Sequence, residues 1–325
     1  MLEDERARTL FLRMAAKSEI SRRFSVLRAD GAIQPGDVDA HSFYRRGEFP
    51  CTAERMRVFE QSAPVLVQRA LDRLALSDRE RQRIRHVIVT CCTGHYAPGL
   101  DFAIIDHLGL SPDVERTMIG FMGCYAAING LKQARHIVRS QPEDSVLLVN
   151  VELCTLHLQE SQELGEVLSF LVFGDGCSAS LISSEPAGFA MDEFRAVLLP
   201  ETRDLITWRI GDGGFLMHLS GQVPTAIEKA LRLEAHTFSA DGQIHLWAVH
   251  PGGRTVLDAV ESGLSLSPTD LAPSRKVLLE NGNMSSATVM FVLAELMKTA
   301  ERGQRGVAMS FGPGLTAETM GFHAA

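Results

Sequence analysis

Three residues sit where an apolar run gives way to a turn, and their types suit acyl transfer. Cys124 lies in Ile119-Gly-Phe-Met-Gly-Cys-Tyr-Ala-Ala, between an apolar run and an alanine-rich helix. Gly123 admits a tight turn, and the following helix N-terminus favours negative charge and so a thiolate. A thiolate that attacks a thioester yields another thioester, which keeps an acyl group activated. A small buried core cysteine is the alternative, and local context leaves the two even. His250, in Trp247-Ala-Val-His-Pro-Gly-Gly, follows an apolar strand. Pro251 donates no backbone hydrogen bond, and Gly252 and Gly253 leave room for a ligand arm. An imidazole there pairs with a thiolate or donates to an oxyanion; a structural histidine is the plainer alternative. Asn283, in Glu280-Asn-Gly-Asn-Met-Ser-Ser, is either a neutral oxyanion donor or an ordinary N-cap. Together the three supply a nucleophile and two donors, the set that acyl transfer requires.

The elements that carry them read as short β-branched runs separated by helical periods. Residues 86–92, 145–152, 176–182, 245–250, 276–280 and 306–311 read as strands buried on both faces, hence an α/β layered fold. Residues 126–138, 254–264 and 285–299 place their apolar side chains on one helical face. Residues 183–188 (SSEPAG) have turn chemistry. They divide the chain into an N-terminal half, 1–183, with Cys124, and a C-terminal half, 184–325, with His250 and Asn283. The opening forty or so residues read as polar helix and loop, with Pro and Gly around 34–36, and supply no strand.

With 325 residues and 45% hydrophobic content the chain can bury a large core, as one big domain or two fused halves. A net charge of −8 argues against nucleic acid as a partner. No apolar run reaches the ~18 residues of a membrane span, and the charged opening MLEDERARTLFLR lacks the apolar core of a secretory signal. The six cysteines (Cys51, Cys91, Cys92, Cys124, Cys154, Cys177) form no CxxC pair, which argues against a disulfide framework or a zinc site. The expectation is a cytoplasmic protein with reduced thiols.

The strings Gly123-Cys-Tyr-Ala, Phe173-Gly-Asp-Gly, His250-Pro-Gly-Gly, Gly282-Asn-Met-Ser-Ser and Phe311-Gly-Pro-Gly-Leu-Thr-Ala-Glu-Thr resemble the type III polyketide synthases. These are the chalcone synthase-like branch of the thiolase superfamily. The resemblance runs from about Arg13 to the C-terminus, and residues 151–157 and 207–212 are closer to the bacterial members than to the plant ones. It implies a thiolase-like α/β fold of two fused halves in α-β-α-β-α layers, a homodimer, and a Cys–His–Asn triad on Cys124, His250 and Asn283. The implied reaction is a decarboxylative Claisen condensation. Cysteine takes a starter from acyl-CoA, histidine and asparagine hold the malonyl-CoA carbonyl through loss of carbon dioxide, and the enolate attacks the cysteine thioester. CoA thioesters are substrates, and no metal or other cofactor is implied. The bacterial strings and Met217 lean toward an aliphatic starter, long chains included, and a pyrone or resorcinol-type product.

The same resemblance assigns further residues. Phe173 stands as a gatekeeping aromatic, with core packing as its plain alternative. Arg13 and Lys17 stand as CoA phosphate ligands, or as a solvated pair one turn apart. Gly252 and Gly253 fit the CoA arm. Met217 replaces a second aromatic gatekeeper, Trp208 a small pocket residue, and Leu10 a third basic CoA contact. Cys92, Cys154 and His157 stand where plant enzymes carry hydroxyls, and Cys154 reads as an inert wall rather than a second reactive thiol. The family opens with a strand and turn ahead of the region matching Arg13, so either the true start is upstream or an edge strand is missing. Two alternatives share the triad: a single-round β-ketoacyl synthase of the fatty-acid type that uses acyl carrier protein, and an inactive scaffold homologue.

Overall fold

Apolar runs buried on both faces need helices on both sides, and this requirement organises the chain. The computed structural model describes residues 2–27, 36–38, 43–239 and 243–325. The turn expected around 34–36 therefore falls outside them except for Gly36. The first half runs α1 (Glu5–Ala16), α2 (Thr52–Leu74), α3 (Asp78–Arg83), β1 (Ile84–Cys91), α4 (Leu100–Leu108), β2 (Glu115–Gly120), α5 (Ala126–Ser140), β3 (Ser145–Leu153), α6 (Leu164–Ser169) and β4 (Asp175–Ile182). The second runs β5 (Phe189–Leu198), β6 (Ile206–Gly211), β7 (Gly214–Leu219), α7 (Val223–Ser239), β8 (Leu246–Val249), α8 (Arg254–Leu264), α9 (Ala272–Asn281), α10 (Thr288–Met297), β9 (Arg305–Gly312) and β10 (Thr316–Ala324).

Two four-stranded sheets result, ordered β2-β1-β3-β4 and β5-β10-β9-β8, with β6 and β7 as a separate hairpin. β1 is parallel to β2 and β3, and β8 is parallel to β9. Strand β3 is buried at every position. Its odd residues Leu147, Val149 and Val151 pack outward on Phe59 and Val67 of α2 and Ile104 of α4. Its even residues Val146 and Leu148 pack inward on Ile128 and Leu131 of α5, Val289 and Val292 of α10, and Ala248, Ala308 and Met320 of the second sheet. The outer face of that sheet, Trp247, Val249, Val307 and Met309, meets Ile227 of α7 and Leu257 and Val260 of α8. The order is α-β-α-β-α. Each fully buried leucine or isoleucine contributes about 2 kcal/mol of apolar transfer to holding these layers together.

The inward face is where the chemistry collects. Side chains alternate along a strand. The inward series therefore continues past the apolar core into Thr90 on β1 and Cys92 just after it, Asn150 and Glu152 on β3 and Cys154 just after it, His250 after β8, and Ser310 and Gly312 on β9. All of these are polar, thiol or small, and they sit at the carboxyl ends of parallel strands.

Three expectations differ from the structure. Residues 276–280 are not a strand but the end of α9, where Val277 and Leu278 are buried and Leu279 is 44% exposed. A five-residue apolar run does not separate a strand from a buried helical turn, and Pro273 in the first turn was the available helix signal. The helix expected over 285–299 opens as a 3-10 turn, Ser285–Ala287, before α10. The strands β2, β5, β6, β7 and β10 have half-exposed or mixed patterns and escaped the apolar-run criterion. Ahead of Arg13 the chain forms the exposed helix α1, capped by Asp4, which accepts from the Arg6 and Ala7 amides. Among the described residues no helix is long and apolar enough to cross a membrane.

Candidate active site

Cys124 is delivered by a turn that only glycine can make. Gly123 has φ +68°, and a Cβ on it would lie 2.2 Å from Pro313 Cδ. Its amide donates to Cys92 Sγ at 3.0 Å, which ties the turn to the end of β1. Cys124 lies in the 3-10 turn Gly123–Tyr125, with α5 starting at Ala126. Its Sγ is 3.8 Å from Ser285 Oγ. The helix terminus does not win here. Burial pushes the Cys124 thiol up to about 12, with Glu152 adding to the rise, against the lowering from Ser285 and Asn283.

His250 is 1% exposed, and its backbone is fixed by donation to Met309 O at 2.8 Å. Neither ring nitrogen has a hydrogen-bond partner among the described residues. Burial alone lowers its pKa to about 3. Burial thus favours the neutral form of both groups and works against a thiolate–imidazolium pair. Such an imidazole is uncommon, since buried polar groups are nearly always hydrogen-bonded.

Asn283 follows α9 rather than a strand. Its Oδ1 accepts the Ser285 amide at 2.8 Å, so the capping reading describes the oxygen. Its Nδ2 donates to Gly252 O at 3.2 Å, which leaves a second amide hydrogen for another acceptor. The Asn283 backbone bridges to the Phe173 segment, donating to Val172 O at 2.8 Å and accepting from Gly174 N at 2.9 Å.

Cys124, His250 and Asn283 open onto one cavity whose wall is almost wholly apolar. Phe173, Met217, Trp208, Cys92, Cys154 and Gly252 also line it. Trp208 is pinned by donation from Nε1 to Cys92 O at 2.7 Å and faces Met217 across the hairpin. Burial drives the Cys92 and Cys154 thiols well away from thiolate, the character of a wall. His157 is not on the cavity. It lies behind the wall, wholly buried, with Nε2 donating to Thr93 O at 2.6 Å and Nδ1 accepting the Phe215 amide at 3.1 Å. It stacks on Phe215 at 4.3 Å, so it clasps the β6–β7 hairpin to the site from behind the wall. Arg13 and Lys17 are exposed at the end of α1, and neither they nor Gly253 line the cavity.

Reasoning from sequence missed four kinds of residue here. Phe170, one turn before Phe173, shares the cavity wall. Val223, Ile227 and Val256 extend that wall toward α7 and α8. Ser285 sits beside the thiol. Glu152, fully buried, accepts from the Cys92 amide at 3.0 Å and from the Thr93 and Ser286 hydroxyls at 2.9 and 2.6 Å. Burial raises its carboxyl to about 7 in spite of those donors. The one available signal was an acid at an inward position of a strand that is buried along its length and mostly apolar.

Comparison with known proteins gives a consistent answer. The family description "Chalcone and stilbene synthases, N-terminal domain" matches residues 3–186, and the corresponding C-terminal domain matches residues 190–325. The "Alpha-pyrone synthesis polyketide synthase-like Pks18" of Mycobacterium tuberculosis is 32% identical over 98% of this chain and 85% of its own length. The bisdemethoxycurcumin synthase of Oryza sativa is 31% identical, over 88% of this chain and 77% of its own. Among solved structures, PKS-I from the brown alga Ectocarpus siliculosus superposes with a TM-score of 0.87 at 31% identity, covering 99% of this chain and 90% of that one. The 1,3,6,8-tetrahydroxynaphthalene synthase of Streptomyces coelicolor superposes with a TM-score of 0.82 at 28% identity, covering 97% and 89%.

Proposed function

The chain belongs to the chalcone and stilbene synthase family, the type III polyketide synthases, which are acyl-transferring condensing enzymes, and from that premise we propose that it extends an aliphatic acyl-CoA starter with malonyl-CoA while the growing chain is held as a thioester on Cys124. The observation that carries this reading is the convergence of Cys124, the unpartnered His250 and Asn283 on one apolar cavity.

The chemistry follows from the neutral resting forms. His250, whose burial favours the unprotonated form, takes the Cys124 proton as the thiol attacks the starter carbonyl, and gives it to the departing CoA thiolate. The malonyl thioester then presents its carbonyl oxygen to the His250 N–H and the spare Asn283 Nδ2 hydrogen. As carbon dioxide leaves, its bonding electrons become the enolate, and those two donors hold the oxyanion. The enolate carbon attacks the Cys124 thioester, a carbon–carbon bond forms, and Cys124 is released as the leaving thiolate. An apolar wall excludes water that would quench the enolate or hydrolyse the thioester. The reaction asks for no metal or redox group.

In this reading residues 1–183 present the nucleophile and residues 184–325 the two donors. Phe173, Met217 and Trp208 shape the starter channel, Cys92 and Cys154 act as wall, and Gly252 and Gly253 leave room for the CoA arm, with its phosphates at Arg13 and Lys17. The lining by Val223, Ile227 and Val256 supports an alkyl rather than a phenolic starter, because the added wall offers no hydrogen-bond partner for a ring hydroxyl. A pyrone or resorcinol-type product, a homodimeric state and a cytoplasmic setting complete the proposal. Purified protein with radiolabelled malonyl-CoA and a ladder of acyl-CoAs tests it. Labelled polyketide with aliphatic starters, lost in Cys124→Ala, is expected. No labelled product with any starter overturns it.

A further inference from the structure

Arg23 lies in the extended stretch that follows α1, and that stretch is laced to the end of α9 and to the start of β4. Ser21 donates to Leu279 O from its amide at 2.8 Å and from its hydroxyl at 2.7 Å, and Arg22 Nε donates to Glu280 O at 3.1 Å, all at the end of α9. Just beyond, Phe24 O accepts the Asp175 amide at 2.8 Å, and the Val26 amide donates to Asp175 Oδ2 at 2.8 Å. Between these anchors Arg23 Nη1 donates to two carbonyls, Phe170 O at 2.9 Å and Phe173 O at 2.7 Å.

The stem of the same residue rests on the loop of Asn283. Gly282 has φ +70°, and a Cβ there would lie 2.8 Å from both Arg23 Cγ and Val172 O. One side chain thus presses on the residue before Asn283 and grips the carbonyls of both cavity-lining phenylalanines. The backbone bridge between Phe173 and Asn283 closes the triangle. A guanidinium on two carbonyls is a strut of fixed length, since its planar fork sets where both oxygens can lie.

We infer that Arg23 is a positioning residue for the aromatic wall of the cavity. It holds Phe170 and Phe173 in register with Asn283 and so sets which acyl chains reach Cys124. The inference rests on the reading that Cys124 is loaded from acyl-CoA through this cavity.

Two variants test it. Arg23→Met keeps the stem and removes the donors; Arg23→Lys keeps a charge and restores donors. KM and kcat are measured over a ladder of acyl-CoA starters with malonyl-CoA, alongside the thermal midpoint. Arg23→Met is expected to raise KM for the preferred starter about fivefold, by more than it lowers kcat, as fits loss of charge-assisted hydrogen bonds at a partly open site. It also flattens the kcat/KM ranking across chain lengths, and Arg23→Lys recovers part of both. A purely structural role would lower the midpoint and scale kcat alike for every starter, with KM and the ranking unchanged, and that result overturns the inference. A wild-type protein that elongates no starter overturns the synthase reading and this inference with it. A wild type that elongates starters beside a Met variant of unchanged KM and ranking overturns this inference alone.

Discussion

Replacing Glu152 with glutamine exchanges a titratable group for a neutral one of the same shape beneath the nucleophile. Glu152 has no exposed surface and accepts three hydrogen bonds, yet burial lifts its carboxyl from 4.5 to about 7. The folded state therefore keeps a proton that the unfolded state has already released. Stability from this group is complete below the unfolded value and falls as pH rises through the folded one. A shift of this size corresponds to about 3 kcal/mol lost by pH 8. Glutamine avoids that loss, but its NH2 meets the Ser286 hydroxyl that now donates to Glu152, a mismatch of about 1 kcal/mol. The unfolding free energy of Glu152→Gln minus that of wild type should then be slightly negative near pH 4.5 and positive by about 2 kcal/mol near pH 8. Urea unfolding followed by the fluorescence of Trp208 and Trp247 across a pH series reads this difference. Above a pH of about 7 the same substitution removes a charge that raises the Cys124 thiol, so at a pH of about 8 iodoacetamide should alkylate Cys124 faster in the variant. A difference curve that stays flat from pH 4.5 to 8 refutes the assignment of the raised carboxyl to Glu152. Alkylation that is unchanged or slower refutes its coupling to the thiol.

His157→Leu strands the Thr93 carbonyl and the Phe215 amide, and should lower the unfolding free energy in urea by about 3 kcal/mol. Burial holds His157 at a pKa of about 3, so wild type loses stability as pH falls from the ordinary histidine range toward that value. The leucine variant should lack that part of the acid slope, and equal slopes in the two proteins would contradict it. Gly123→Ala forces a Cβ into Pro313 at positive φ and should cost about 2–4 kcal/mol. A thermal midpoint equal to that of wild type would show that the turn is not the constraint described.

The fold and the family were legible in the sequence where local backbone demands leave a mark. Gly123 before Cys124, Pro251 after His250 and the Gly282–Asn283 pair are turn signals that reveal themselves over a few residues, and the strings around them carry the family. Legibility failed where one pattern serves two structures. The run at 276–280 lies in α9 because its neighbours bury only two of its apolar side chains, which depends on what packs against it. His157 is a hairpin clasp rather than pocket wall because its partners are the Thr93 carbonyl and the Phe215 amide, the latter 58 positions away.

Residue types and their order determined the layered α/β class and the family to which the chain belongs, and singled out Cys124, His250 and Asn283 as candidates. Tertiary structure alone decided the burial of the site, which pushes the Cys124 thiol and the Glu152 carboxyl up and the His250 imidazole down. It also brought Phe170 and Ser285 to the cavity, and Arg23 to the carbonyls of Phe170 and Phe173, from distant parts of the chain. Periodicity and turn chemistry act over a handful of neighbours and leave a mark in the sequence. Desolvation and convergence depend on which strands end side by side, and only the packed layers specify that.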